Sequence, residues 1–186
     1  MQIETFMEPA SDKHTMKRAE YTLKFMASHL RGKAENCLDI GDSNEVGNFI
    51  TKELELKNYN TTGDLDYNYH PNVDMKYDVV ICLEMMEHLM SPKYFLMELK
   101  KYLHEDSQIF FSYPSRPKIL WTHQHFHEYD KKRFTYLLNQ CGYEIIDWQR
   151  KYFPQPILSR LRGVRPLLRQ FVNFDNLVYG KMKTAV

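Results

Sequence analysis

Glycine is scarce in this chain, at only 7 of 186 residues. No G-x-G-x-x-G run is present to cradle a pyrophosphate on a helix N-terminus, which argues against a NAD-type dinucleotide site. Cysteine is scarcer still, with three residues at positions 37, 82 and 141. They form no C-x-x-C pair, so neither a zinc site nor a disulfide framework is expected. Cys37 and Cys82 fall in apolar, strand-like runs and Cys141 closes a helical pattern. Three buried free thiols suit a reducing compartment, and a cytoplasmic location is the expectation. No stretch of eighteen apolar residues occurs, so no membrane crossing is predicted, and residues 1–14 lack the apolar centre of a secretory signal. Neither sign of charge dominates. The 25 basic and 24 acidic residues leave +1, so bulk charge points to no polyanionic partner and no nucleic acid is expected. Internal repeats and low-complexity segments are absent.

What remains is an ordinary globular composition, 43% hydrophobic and 26% charged, with aromatics at 14%. The length suits one domain over residues 1–186. Ser11 or Asp12 caps a predicted helix reaching about residue 30, with Met16, Ala19, Leu23, Phe25, Met26 and Leu30 on one face. A short, continuously apolar strand follows over residues 35–40, as in buried parallel sheets. Asn44 opens a helix through Val46, Phe49, Ile50, Leu54 and Leu56. Residues 61–66 read as a second strand with an acidic end, and residues 78–83 as a third. Ser91 and Pro92 start a helix running to about residue 103, and residues 108–113 form another strand. A loop rich in Pro, Trp and His spans residues 114–128. Asp130 caps a helix to Cys141, where Gly142 provides the stop. Late strands at 144–152 and 174–183 are expected to pair antiparallel, separated by a basic helical insert at about 154–172. Strands alternating with helices predict an α/β fold, a mostly parallel sheet flanked by helices.

Two runs carry the chemistry. The first is Cys37-Leu38-Asp39-Ile40-Gly41-Asp42-Ser43, a buried strand ending in an acidic-glycine turn. The second runs from Tyr77 through Val79, Val80, Ile81, Cys82 and Leu83 into Glu84-Met85-Met86-Glu87-His88-Leu89. Together they resemble the first and fourth strands of class I S-adenosylmethionine-dependent methyltransferases. The similarity is greatest to the small-molecule, type 11/12-like branch, whose fourth strand runs into an E-x-x-E-H-L segment. It extends over about residues 35–147. Phe95 through Leu103 match the helix after that strand, and Ile109-Phe110-Phe111-Ser112-Tyr113-Pro114 match the fifth strand. His125-Phe126-His127-Glu128-Tyr129-Asp130, with Phe134, Leu137, Leu138 and Gly142-Tyr143, match the segment that follows. Glu105-Asp106 replaces the family's usual Pro-Gly.

The resemblance implies a Rossmann-like fold and S-adenosyl-L-methionine as cofactor. Asp39, Gly41 and Ser43 would hold its amino-acid part. The family pattern alternates three glycines, and here Ser43 and Glu45 occupy the second and third places, with Gly47 too far along to substitute. A carboxylate ending the second strand would accept the ribose hydroxyls, with Asp64 first, Asp66 second and Leu65 beside them. Leu83, Glu84 and Met85 would meet the cofactor at the carboxyl edge of the sheet. Only about a dozen residues separate Asp66 from Asp78. The family's third strand must therefore be trimmed, to a short strand near residues 73–75, with Asp74 as the candidate adenine contact.

His123, His125 and His127 alternate, so all three share one face if the segment is extended. Alternating His can bind zinc, but no carboxylate or thiol stands at a usual ligand spacing, and no metal is expected. An acceptor pocket lined by Tyr113, Trp121, His125, His127 and Tyr129 is the alternative. Methyl transfer needs an aligned nucleophile and, for a hydroxyl, a base near neutral pH. His125, His127 and His88 are the candidates. Packing the loop against the sheet would account for the same residues. Residues 150–169 hold six basic side chains and no acidic one. They suit a weak contact with a membrane surface or an anionic substrate, or an insert whose apolar face covers the sheet. The implied function is methylation of a small-molecule acceptor, by O-methylation of a sugar or other hydroxylated metabolite. The alternative is a catalytically inactive binding or regulatory protein on the same fold.

Overall fold

A computed structural model describes residues 11–32, 34–63, 75–116, 125–153 and 174–183. Among them, helix α1 (Ser11–His29) precedes strand β1 (Cys37–Asp39), helix α2 (Glu45–Glu53) and strand β2 (Tyr59–Thr61). Strand β3 (Tyr77–Leu83), helix α3 (Pro92–Leu99) and a 3₁₀ turn (Lys100–Tyr102) lead into the long strand β4 (Leu103–Ser115). Helix α4 (Lys131–Gln140) and strands β5 (Tyr143–Tyr152) and β6 (Phe174–Met182) complete the described elements. The expected basic insert and the Val73-Asp74 segment lie outside the described residues, and Met75 belongs to no strand.

The strands form one sheet in the order β2-β1-β3-β4-β6-β5. The first four run parallel, and β6 pairs antiparallel with both β4 and β5. This is the mostly parallel α/β sheet with an antiparallel C-terminal hairpin that the sequence predicts. The period of two in the strands sends side chains to opposite faces. Val79, Ile81 and Phe110 pack with Phe25 and Met26 of α1 and Ile50 of α2. Val80, Cys82, Ile109 and Phe111 pack with Phe95, Leu96 and Leu99 of α3 and Phe134 and Leu138 of α4. Helices thus cover both faces. Full burial of such side chains contributes roughly 1.5–3 kcal/mol each, which holds the layers together.

Local chemistry sets the element ends. The Asn44 side chain accepts the Gly47 N–H at 2.9 Å and caps α2. Asp130 does the same for α4 through the Arg133 N–H at 2.8 Å. Gly142 stops α4 with φ of +76°. β2 differs from the expected strand over residues 61–66, since it ends at Thr61. After it, the Thr62 and Gly63 N–H groups turn back to the carbonyls of Asp39 and Gly41, both at 3.1 Å. β4 begins five residues earlier than expected, because the 3₁₀ turn ends α3 at Leu99 and Leu103 pairs with Tyr77.

From β1 the chain moves outward to β2 and then returns to β3 on the other side. The reversal opens a crevice between the carboxyl ends of β1 and β3, where open α/β sheets bind ligands.

Candidate active site

A cavity of about 250 Å³ occupies that crevice. Its lining includes Asp39, Gly41, Asp42 and Gly47 from the β1–α2 turn, Leu83, Glu84 and Met85 from the end of β3, and Arg18 and Thr22 from α1. Asp39, Gly41, Leu83, Glu84 and Met85 are therefore brought together around one cavity. Ser43 is not among them. It is exposed, and its hydroxyl donates to Asn48 Oδ1 at 3.4 Å. Glu45, the departure from the glycine pattern, is exposed in the first turn of α2 and does not line the cavity. A carboxylate at that helix end is favoured by the macrodipole. Asp64, Leu65 and Asp66 lie outside the described residues.

Gly41 adopts φ of +116°, in the region that favours glycine. A Cβ there would stand 3.2 Å from Met85 Sδ, tighter than an ordinary contact, so the Met85 side chain would have to shift slightly. Thr62 Oγ1 accepts the Gly41 N–H at 2.8 Å and ties β2 to this turn. Gly47 has a role that its sequence position does not reveal. A side chain there would collide with Asp39 Oδ2 and reach within 2.8 Å of the Tyr59 hydroxyl. Its absence lets α2 sit against the end of β1.

Asp39 is buried and accepts the Tyr59 hydroxyl at 2.7 Å. Burial pushes its carboxyl up to about 6, against the Tyr59 hydroxyl and the Ile40 N–H, which favour the charged form. Glu84 has φ of +54°, a left-handed conformation costly for a residue with a side chain. Ser112 holds it there. The Ser112 hydroxyl accepts the Glu84 N–H at 3.0 Å and donates to Glu84 Oε1 at 3.1 Å. Arg18 joins Glu84 Oε2 at 2.8 Å and also pairs with Asp175 of β6. Burial alone would lower the Arg18 pKa, but the two carboxylates raise it. Asp175 is pushed up to about 6, first by burial and then by the charge of Glu84, against the pull of Arg18.

The histidines gather beside this cavity. Just after β3, the Glu87 carbonyl accepts the N–H groups of Phe126 and His127 at 2.9 and 3.1 Å. That pairing brings His125 against His88, with ring centroids 4.8 Å apart. Glu87, His88 and His125 present ligand-type atoms that all lie within 4.8 Å of one another. His125 Nδ1 meets Glu128 Oε1 at 3.1 Å, both side chains being over 90% buried (9% and 6% exposed). The Glu87 side chain is buried and neither carboxylate oxygen has a hydrogen-bond partner among the described residues. Its carboxyl is pushed up to about 9, first by burial and then by the charge of Glu84. His127 stacks on Tyr129 with centroids 5.9 Å apart, and its Nε2 is buried without a hydrogen-bond partner among the described residues.

The acceptor wall differs from expectation. Tyr113 is wholly buried in the core, its hydroxyl accepting Trp148 Nε1–H at 3.3 Å. Tyr129 is also buried and donates to the Met86 carbonyl at 3.4 Å. These two rings support the site from beneath. Trp121 and His123 lie outside the described residues.

No family model and no curated protein sequence matches the chain. Solved structures do, and they show the fold. One chain of the Haloferax volcanii complex between the Trm112 methyltransferase activator and a candidate methyltransferase superposes with a TM-score of 0.68 at 10% identity, covering 95% of each chain. The 1,6-didemethyltoxoflavin-N1-methyltransferase of Burkholderia thailandensis, solved with 1,6-didemethyltoxoflavin and S-adenosylhomocysteine, gives 0.61 at 12% identity, covering 98% of this chain and 94% of its own. The [4+2]-cyclase SpnF gives 0.59 at 9% identity, covering 91% and 81%. The fold is the Rossmann-like fold of class I methyltransferases.

Proposed function

We propose that this chain is a methyltransferase that uses S-adenosyl-L-methionine to methylate a small-molecule acceptor, by O-methylation of a sugar or other hydroxylated metabolite. The observation that carries the reading is the crevice at the switch point, where a side-chain-free Gly41 and the acidic Asp39 face Leu83, Glu84 and Met85. Its residues fit the cofactor. Gly41 leaves backbone approachable, and Asp39 is a buried carboxylate that gains from a cationic partner such as an ammonium. Structural neighbours solved with S-adenosylhomocysteine support the assignment.

S-adenosylmethionine supplies a methyl group activated by its sulfonium. The chain's own task is to align an acceptor and remove its proton. Glu84, fixed by Ser112 and Arg18, gives the cavity a rigid acidic edge. In this reading His88, His125 and His127, gathered about the turn after β3, are the groups that orient an acceptor hydroxyl and receive its proton. Glu128 fixes the His125 ring.

Calorimetry with S-adenosylhomocysteine and NAD tests the reading. S-adenosylhomocysteine is expected to bind at one equivalent and NAD not at all. Binding of NAD alone would overturn it.

A second reading rests on one observation. The Arg18–Glu84–Asp175 cluster links α1, the end of β3 and β6 along the cavity wall, and commits to internal ion pairs charged groups that a ligand would use. A binding or regulatory protein that has lost catalysis would show this, and it would bind S-adenosylhomocysteine without turning over any acceptor.

A further inference from the structure

We propose that Glu87, His88 and His125 form a binding site for a divalent transition-metal ion beside the donor pocket. Two imidazoles and one carboxylate match the three protein ligands of open, catalytic zinc sites, and also suit manganese. The three ligand atoms already lie within 4.8 Å of one another. An ion about 2.1 Å from each needs them roughly 3–4 Å apart, a side-chain adjustment away.

Two further observations point to a cation. The Glu87 carboxylate is 2% exposed, and neither of its oxygens has a hydrogen-bond partner among the described residues. A carboxylate buried in this way is costly unless something binds it. The second is the Glu128 contact to His125 Nδ1, which leaves Nε2 as the ligating nitrogen. A carboxylate behind a ligand histidine fixes its tautomer and orientation, as in metal centres generally. The segments are far apart in the chain, and the two backbone bonds to the Glu87 carbonyl hold them together.

Three protein ligands leave at least one coordination position for an acceptor oxygen. A hydroxyl bound there would be oriented and made more acidic by the ion. The preferred acceptor class is then one whose oxygens chelate, such as a vicinal diol. That use of the ion rests on the methyltransferase reading and leaves proton removal to His127, because His88 and His125 then ligate the ion; metal binding itself does not rest on that reading.

The test starts from full-length protein stripped with a chelator. Zn²⁺, Mn²⁺ and Mg²⁺ are titrated by calorimetry, and Co²⁺ by visible absorption. One equivalent of Zn²⁺ or Mn²⁺ is expected, with a Co²⁺ spectrum of nitrogen and oxygen ligation. Glu87→Gln and His125→Ala should each weaken binding at least tenfold, and Glu128→Gln about tenfold. His104→Ala, whose imidazole pairs with Asp78 at the other end of β3, should bind as the parent does. S-adenosylhomocysteine affinity, measured on every variant, reports that the fold is intact. Failure of the parent protein to bind any of these ions at one equivalent overturns the proposal without recourse to a variant. Unchanged affinity in both ligand variants overturns it too. Metal binding without S-adenosylhomocysteine binding supports the site and overturns the methyltransferase reading, and the converse result does the reverse.

Discussion

Gly47 of α2 lies against the Asp39 carboxylate at the end of β1, with no room for a side chain between them. The contact joins helix, strand and the Tyr59 hydroxyl at one point, and that point forms a wall of the donor pocket.

Gly47→Ala should therefore disturb both stability and binding. Forcing a methyl group into packed surroundings costs about 1–3 kcal/mol. Urea unfolding should show that loss, and S-adenosylhomocysteine affinity should fall with it. A variant as stable as the parent would mean that α2 slides freely over β1. Gly32→Ala is a control for glycine replacement alone. Gly32 sits in an exposed turn, where a Cβ would have nothing within 4 Å, and its φ of +70° adds the backbone strain of a positive-φ site.

Arg18 should be a stability determinant. Removing it leaves Asp175, only 4% exposed, facing Glu84 without the guanidinium that bridges the two, and with Arg116 as the cation still acting on it. Breaking a buried pair costs about 3–5 kcal/mol and an exposed one under about 1. Arg18 is 31% exposed, so an intermediate loss of about 2 kcal/mol is expected for Arg18→Ala. Adding Asp175→Asn should restore part of it in a double-mutant cycle. Simple additivity of the two changes would reject the coupling.

Asp39 gives a pH dependence with a definite sign. Its carboxyl is held at about 6 in the folded chain, above the ordinary value of 3.8. The folded state therefore keeps its proton more tightly than the unfolded state does. Below about 4 the shift contributes nothing, and the penalty grows until about 6 and is complete above it. Asp175 acts in the same sense. Ligand binding runs the other way, because the ionised carboxylate is the form that attracts an ammonium. S-adenosylhomocysteine affinity should rise about tenfold between pH 5 and pH 7, and Asp39→Asn should flatten the rise. A profile unchanged in that variant would place the responsible group elsewhere.

The parts legible in the sequence are those written in local patterns. Asp130 and Gly142 bracket α4 because a cap and a stop are short-range chemistry. The apolar runs of β1 and β3 announce buried parallel strands, and their ends mark the crevice. β2 escapes sequence reasoning because Tyr59-Asn60-Thr61 is half-buried and carries little apolar signal. Gly47 and Arg18 escape it for a different reason. Their roles are contacts across the sheet, with Asp39 and Asp175, which no spacing rule encodes. The histidines are recognisable as chemical groups, but joining His125 to Glu87 requires the backbone bonds between two distant turns.

His127 is the residue on which the proposed chemistry can be tested most directly. Its N–H binds the Glu87 carbonyl, which fixes it beside the turn that ends the donor pocket. Its ring stacks on the buried Tyr129, so its position is set by packing. Its Nε2 is buried and has no hydrogen-bond partner among the described residues. In the proposed function, with His125 oriented by Glu128, His127 would take the acceptor's proton. His127→Ala should lower kcat roughly a hundredfold, the ordinary contribution of a general base. S-adenosylhomocysteine affinity should stay unchanged, because the donor-pocket lining does not include this residue. Turnover is read as S-adenosylhomocysteine release with a panel of monosaccharides and small polyols. His127→Gln keeps a similar volume but offers no basic nitrogen, so it should be as slow as the alanine variant. Full turnover in the glutamine variant would show that His127 only packs the loop, and would leave proton removal to His125 or solvent.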